Sequence, residues 1–431
     1  MATSHLQFCI LSLLIFTISH SKAQTSTPKP KSLLLPVTKD SSTLQYLTQL
    51  NLGTPLTPKT AVLDLGGRHL WFDCEAGYNS STYRPGHCGS AACSVAKPSF
   101  TCGICFADKP RPGCNKYTCS IALENTITRT VGYFEVSTDT ISIQSTIVSN
   151  FIFGCADTWL LKGLSSGAKG MAGLGRTHIG LPHQISSKFG GTLPRKFALC
   201  LSKSNGFVLF GDARYVFYSS HNKSNLIDVS KYFSFTKLYI NPVPTADDVK
   251  GEPSAEYFIG VTSILVNKKP VRINTTLLSI DRKGYGGTKI STVNPYTVLE
   301  SSIYKVVAET FGMELKAMNV AKVASVAPFS DCFSMEFLGY SRLELSVPDM
   351  AFVFGNKSVY WELHGANLVA EISRDVVCLA FVDGGLNPRT SIVIGAHQLE
   401  DNLLQFDLAA SKLGFTSTLL QQDVRCTNFK F

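Results

Sequence analysis

Ala61-Val-Leu-Asp-Leu-Gly-Gly-Arg-His-Leu-Trp-Phe-Asp-Cys74 is the stretch that decides the fold. Its apolar run ends on a single acid, Asp64, and the paired glycines Gly66 and Gly67 follow at once. Leu70, Trp71 and Phe72 resume an apolar segment that Cys74 closes. The order strand, acid, glycine turn, strand presents a carboxylate at the floor of a cleft. Glycine gives the turn its freedom in φ and lets another length of backbone come close. The function then turns on whether a second acid stands elsewhere in the chain.

Outward from this stretch, short apolar or alternating runs are punctuated by Gly, Pro, Asn and Ser. Leu33-Leu34-Leu35 is stopped by Pro36, and residues 45–52, 138–143, 207–210, 256–266 and 376–381 follow the same style. This is the texture of an all-β chain. Helical patterns are few and short: residues 181–189 form one, and residues 300–311 form another. A weak internal repeat divides the sequence. Val62-Leu63-Asp64 and Gly170-Met-Ala-Gly-Leu-Gly175 lie in the first half, Ile290-Ser291-Thr292 and Ser391-Ile-Val-Ile-Gly395 in the second. Each half is expected to hold a turn fed by an apolar strand, and a later apolar run whose glycine lets the backbone pass beside that turn. The expected organisation is an N-terminal lobe at residues 32–215 and a C-terminal lobe at residues 230–431.

With 431 residues and 44% hydrophobic content, the chain can bury a large core or two. Residues 1–23 carry an apolar core at 10–18 and small residues before Gln24, which reads as a signal peptide. The polar, proline-bearing residues 24–31 read as a loose N-terminus. The leader is too short to span a bilayer and no later segment is apolar enough, so no membrane span is expected. Of thirteen cysteines, Cys9 leaves with the leader. Twelve remain: Cys74, Cys88, Cys93, Cys102, Cys105, Cys114, Cys119, Cys155, Cys200, Cys332, Cys378 and Cys426. In a secreted, extracellular chain this even set reads as six disulfides. Six of the cysteines fall in residues 88–119, a polar insertion rich in Gly and Pro that is expected to be held by its bridges. Cys102-Gly-Ile-Cys105 lacks a companion ligand pair, so no metal and no other cofactor is expected. Sequons at Asn79, Asn222, Asn274 and Asn356 suit a glycosylated surface. The formal charge of +9 falls to +8 without Lys22, but the basic residues form no run of five and no aromatic-interleaved stripe. Nucleic acid is therefore excluded as a partner. A basic extracellular protein is drawn instead to acidic cell-wall polymers.

Further motifs carry a resemblance. Tyr46-Leu-Thr-Gln-Leu-Asn-Leu-Gly-Thr-Pro55, Phe151-Ile-Phe-Gly-Cys155, Gly173-Leu-Gly-Arg176, Ile392-Val-Ile-Gly395, Gln405-Phe-Asp407 and Leu413-Gly-Phe415 run in the order of pepsin-like aspartic proteases. They cover nearly the whole mature chain. Asp64-Leu-Gly-Gly67 and Gln398-Leu-Glu-Asp-Asn402 narrow the likeness, and Ser80-Ser-Thr-Tyr-Arg-Pro85 agrees with it. The chain resembles the plant aspartic-protease-like inhibitor family, which includes carrot extracellular dermal glycoprotein, the xyloglucan-specific endoglucanase inhibitor proteins, nectarin and basic 7S globulin. The resemblance implies a bilobal pepsin-like fold.

In the pepsin-like pattern the first acid stands in Asp-Thr-Gly-Ser/Thr. The second stands in Ile-Asp-Ser/Thr-Gly-Thr, followed by Thr-x-Leu and a helix holding Tyr. Asp64 keeps the first acid without its hydroxyl neighbours. Ile290-Ser-Thr-Val-Asn294, followed by Thr297-Val-Leu299 and Tyr304, puts Ser291 in the second acid's place. Ile280-Asp281 is no substitute, because Arg282-Lys283 follows it and no Thr-x-Leu comes at the required spacing. The Tyr-Gly pair of the flap is missing from residues 125–131. Aspartic proteolysis needs two close carboxylates sharing one proton. Asp64 and Ser291 thus read as vestigial, and the chain as no enzyme.

The resemblance implies a binding function in plant defence, in the apoplast or cell wall. The family's inhibitors insert arginines from two C-terminal loops into the cleft of a microbial xyloglucan-specific endo-β-1,4-glucanase, a family 12 glycoside hydrolase. A guanidinium can pair with the two catalytic carboxylates of such an enzyme. The first loop matches Tyr340-Ser-Arg-Leu343, which makes Arg342 the first candidate. The second loop reads Asp423-Val-Arg-Cys426, with Asp423 where the family has its arginine and Arg425 as the displaced replacement. Two readings compete: an atypical active aspartic endopeptidase, resting on Asp64, and a storage or peptide-binding protein like basic 7S globulin.

Overall fold

Alternation builds the outer strands. In Tyr46–Leu52, Tyr46, Thr48, Leu50 and Leu52 are buried while the residues between them are more exposed. Ser32–Lys39 buries Leu33, Leu35 and Val37 in the same way. The strands nearest Asp64 differ. Leu70–Asp73 and Gly170–Gly173 are buried at every position, and Thr57–Asp64 is buried from Ala61 on. Continuous burial of this kind marks strands covered on both faces. The computed structural model describes residues 30–96, 100–105, 109–244, 252–341, 344–355 and 358–431. The leader with Cys9, residues 24–29, Arg342 and Asn356 lie outside the described residues.

The internal repeat is a repeat of topology. Thr57–Asp64 runs parallel to Gly170–Gly173, with Asp64 opposite Gly173, and Gly170–Gly173 also pairs antiparallel with Leu70–Asp73. In the second half Thr288–Ile290 runs parallel to Ile392–Ile394, which pairs antiparallel with Thr297–Leu299. The closing bonds correspond. Gly175 N–H donates to Gly67 O at 2.8 Å, and Ala396 N–H donates to Asn294 O at 2.8 Å. The glycines permit this crossing. A Cβ on Gly173 would lie 2.4 Å from His69 O, and one on Gly395 would lie 2.2 Å from the Tyr296 carbonyl carbon.

One sheet of twenty strands draws on both halves. Lys196–Cys200 of the first half pairs with Leu403–Asp407 of the second, while Ser234–Tyr239 pairs with Lys412–Phe415 within the second half. Phe197 stacks on Phe406 across this seam, with ring centroids 4.8 Å apart. The segment Lys31–Phe431 forms one compact unit. The twelve cysteines beyond the leader pair as Cys74–Cys155, Cys88–Cys102, Cys93–Cys119, Cys105–Cys114, Cys200–Cys426 and Cys332–Cys378. Three of these bridges close within the 88–119 insertion.

The helices differ in extent from their sequence patterns. Leu181–Lys188 carries Pro182 in its first turn, where a missing N–H costs nothing. Ser301–Ala317 begins on Glu300, whose carboxylate accepts from the Ser302 and Ile303 N–H groups. It buries Ile303, Tyr304, Val307, Ala308, Phe311 and Leu315, one stripe at helical spacing. It continues past the expected end at residue 311 because Gly312 is an interior helix glycine, not a stop. The run at 256–266 is two strands, Tyr257–Ile259 and Val261–Val266, broken at Gly260. Pro36 does not end its strand: at that position only Asn205–Gly211 is paired with it, and Tyr46–Leu52 joins from Val37 on. Asn79, Asn222 and Asn274 are exposed. No helix of the described residues is long and apolar enough to cross a membrane. Among the described residues no cluster of His, Cys, Asp and Glu is arranged to hold a metal ion.

Candidate functional site

Asp64 ends its strand only 3% exposed. Its Oδ1 accepts from Gly66 N–H at 3.0 Å and its Oδ2 from the Thr126 hydroxyl at 2.7 Å. Thr126 comes from the turn joining the Lys116–Asn125 and Thr130–Ile143 strands, which lies over the acid where a flap is expected. Burial pushes the Asp64 carboxyl up, against the Thr126 bond that lowers it, and the charge of Glu256 pushes it further up. Gly67 must be glycine here, since a Cβ would lie 2.8 Å from Asp64 Oδ2.

Ser291 follows the Thr288–Ile290 strand and lines the same cavity as Asp64, which holds about 50 Å³. Its hydroxyl donates to Asn294 Oδ1 at 2.9 Å and accepts from the N–H groups of Val293 (3.3 Å) and Asn294 (3.2 Å). These bonds turn it into its own loop. The next residue, Thr292, clasps the two motifs: its hydroxyl donates to Leu63 O at 2.8 Å and accepts from Leu65 N–H at 2.9 Å. Leu65, its counterpart in the first motif, has no hydroxyl to return the clasp.

Three charged side chains that the sequence reading did not single out complete the cleft. Lys289 is 7% exposed and pairs with Glu256 at 2.5 Å. Glu256 lies across Gly66, where a Cβ would approach its Cγ to 2.8 Å. Burial, then the charge of Asp64, raise Glu124 to about 7. Lys289 stands two positions before Ser291 in the strand Thr288–Ile290, which the structure buries at every position. Glu124 and Glu256 reach the cleft only through tertiary packing.

The inhibitory candidates lie elsewhere. Tyr340–Ser341 pairs with Glu344–Leu345, and Arg342, between them in sequence, is outside the described residues. Glu344 Oε2 accepts from Ala366 N–H at 3.5 Å. Arg425 is 35% exposed and its Nη1 lies 3.4 Å from Asp401 Oδ2. Gln421, in the turn before it, hydrogen-bonds His364 Nε2 at 2.9 Å. The segment 364–366 therefore touches residues flanking both loops. Asp423 is not a bare charge: in a left-handed conformation it bonds the Ser219 hydroxyl and His221 Nδ1.

Comparison with known proteins agrees with this frame. Residues 46–212 match the family described as Xylanase inhibitor N-terminal, and residues 256–417 match Xylanase inhibitor C-terminal. The chain is 52% identical to a Nicotiana benthamiana protein named Probable aspartic proteinase GIP2, over 98% of this chain and 97% of that one. The crystal structure of edgp superposes with a TM-score of 0.89 at 51% identity, covering 94% of this chain and 98% of the other. Basic 7S globulin from soybean gives 0.78 at 34%, covering 93% and 100%. An aspartic proteinase from Irpex lacteus gives 0.53 at 16% identity, covering 90% and 97%, a likeness of fold alone. The chain belongs to the plant aspartic-protease-like family with paired xylanase-inhibitor N- and C-terminal domains, built on the bilobal, all-β pepsin-like fold.

Proposed function

We propose that this protein is a secreted, catalytically inactive member of its family that inhibits a microbial xyloglucan-specific endo-β-1,4-glucanase. The observation that carries the reading is Ser291. The second motif offers a hydroxyl held by Asn294 where proteolysis needs a carboxylate facing Asp64. Glu256 does not stand in for it, since it is paired with Lys289. Inhibition is assigned to arginines of the two C-terminal loops, aimed at the glucanase's catalytic carboxylates. Contact of segment 364–366 with Glu344 and Gln421 favours this reading, because it brings residues flanking the two loops to one segment. Arg342 is the main anchor. Arg425 contributes less, since it must leave Asp401 to reach a partner.

Inhibition titrations against one susceptible glucanase test this. Arg342→Ala should weaken inhibition on the order of a hundredfold without unfolding the protein, as removing one partner of a desolvated charge pair does. Arg425→Ala should do less. Asp423→Arg, attractive from sequence alone, should disturb the loop by stranding Ser219 and His221. The parent should cleave no denatured protein between acid and neutral pH. Pepstatin-sensitive cleavage abolished by Asp64→Asn would refute the inactive reading, and full inhibition by Arg342→Ala would refute the anchor.

A further inference from the structure

Across the Arg68–His69 stretch from the Asp64 cleft lies a second cavity of about 200 Å³, lined by two arginines. Their segments are fastened together. Gly175 N–H donates to Gly67 O at 2.8 Å, and the Thr177 hydroxyl donates to Arg68 O at 2.5 Å. Arg176 N–H donates to Ala255 O at 3.0 Å, and its guanidinium lies over the Tyr257 ring, 4.9 Å from the centroid. Arg68 pairs with Glu252. Arg176 makes no ion pair among the described residues. Its Nε and Nη2 are buried there without a hydrogen-bond partner, as is Arg68 Nε.

A guanidinium drawn partly out of water without a counter-charge carries a cost, and arginine cannot shed its proton to escape. The face of Tyr257 offsets part of the charge but accepts none of the in-plane N–H bonds. Those enclosed donors do not face the cavity, but its lining holds two arginines against one carboxylate, Glu252, and this unbalanced positive charge favours an anion there. The rest of the lining mixes the apolar Val95, Ile179 and Ile240 with His178, Thr177 and Ser254. A bare inorganic anion would meet the charge and leave the apolar side chains uncovered. A carboxylate on a carbon body meets both, and its two oxygens match the guanidinium fork.

We propose that this cavity binds a small organic carboxylate, held by Arg68 and Arg176 with its carbon skeleton against Val95, Ile179 and Ile240. The carboxylate could be a free organic acid or the terminal uronate of an acidic wall polymer. The site is separate from the arginine loops and stands whether or not the glucanase reading holds. Glu252 is an internal competitor for Arg68.

Isothermal titration of the full chain with citrate, galacturonate, a short oligogalacturonate and inorganic phosphate tests the proposal, with unfolding temperature as a second readout. At least one carboxylate should bind and raise the unfolding temperature, and phosphate should bind about tenfold more weakly or not at all. Arg176→Gln should weaken carboxylate binding at least about tenfold. Glu252→Gln should strengthen it several-fold by releasing Arg68, and as a half-exposed rim position it reports on the site even where Arg176→Gln fails to fold. Binding by the free acids, or by the oligomer alone, supports the site and identifies the source. Three outcomes overturn it: no carboxylate binding to the parent or to Glu252→Gln, phosphate binding tighter than every carboxylate, or binding that neither variant changes.

Discussion

Asp64, Glu124 and Glu256 share one small cleft, in which Lys289 pairs with Glu256. For Glu124 this has a thermodynamic consequence. Its folded-state pKa is raised to about 7, mainly by burial and then by the charge of Asp64. The folded state therefore holds a proton that the unfolded chain has already lost, between the ordinary carboxyl value and about 7. Stability falls as pH rises through that window and is fully restored below it. Glu124→Gln, which mimics the protonated form, should be more stable than the parent by on the order of 1–3 kcal/mol at pH 8, and no different below pH 4. Urea denaturation at the two pH values checks this, and parallel pH profiles would contradict it. At this scale the sequence revealed Asp64 and Ser291, because each sits in a motif with fixed neighbours. It hid Thr126, Glu124 and Glu256, because they arrive from separate strands and nothing in their own surroundings marks them.

The elements were legible where burial is periodic and illegible where a single residue has two meanings. Tyr46–Leu52 could be read from its alternation, and the two crossings from glycines that admit no Cβ. Pro36 misled because its effect depends on what is paired beside it, and the helix read over 300–311 runs on to Ala317. Gly312 sits inside Ser301–Ala317 with helical backbone. A Cβ there would meet only Phe333, at 3.7 Å, an ordinary contact. Nothing in the packing requires a glycine, so its cost is the backbone freedom it gives the unfolded chain. Gly312→Ala should stabilise the protein by about 1 kcal/mol, measured by thermal or urea unfolding. A loss of stability would mean that the helix cannot shift by the small amount a methyl group needs beside Phe333.

On the scale of the molecule, strands on either side of the expected division near residues 215–230 pair in one sheet. Lys196–Cys200 is paired on one side with Asn205–Gly211 and on the other with Leu403–Asp407. Taking away the second half would leave this strand as an unpaired edge and expose Phe197 and Leu199, both fully buried in the whole chain. Cys200 would lose its partner Cys426, and Phe207 would lose Phe429, stacked on it at 4.2 Å. We therefore predict that the lobes are units of topology but not of stability. Residues 32–215 and 230–431, expressed separately, should each fail to give a cooperative unfolding transition. Cutting the connection after folding is a different matter. Residues 221–225 are exposed, and Lys223 offers a tryptic site among them. A chain nicked there keeps the seam and the Cys200–Cys426 bridge, so it should unfold in one transition within a few degrees of the intact protein. Calorimetry on the two halves and on the nicked chain separates the cases. Either half unfolding cooperatively alone, or the nicked protein melting in two steps, would show that the lobes carry their own stability and that the shared sheet is only a contact between them.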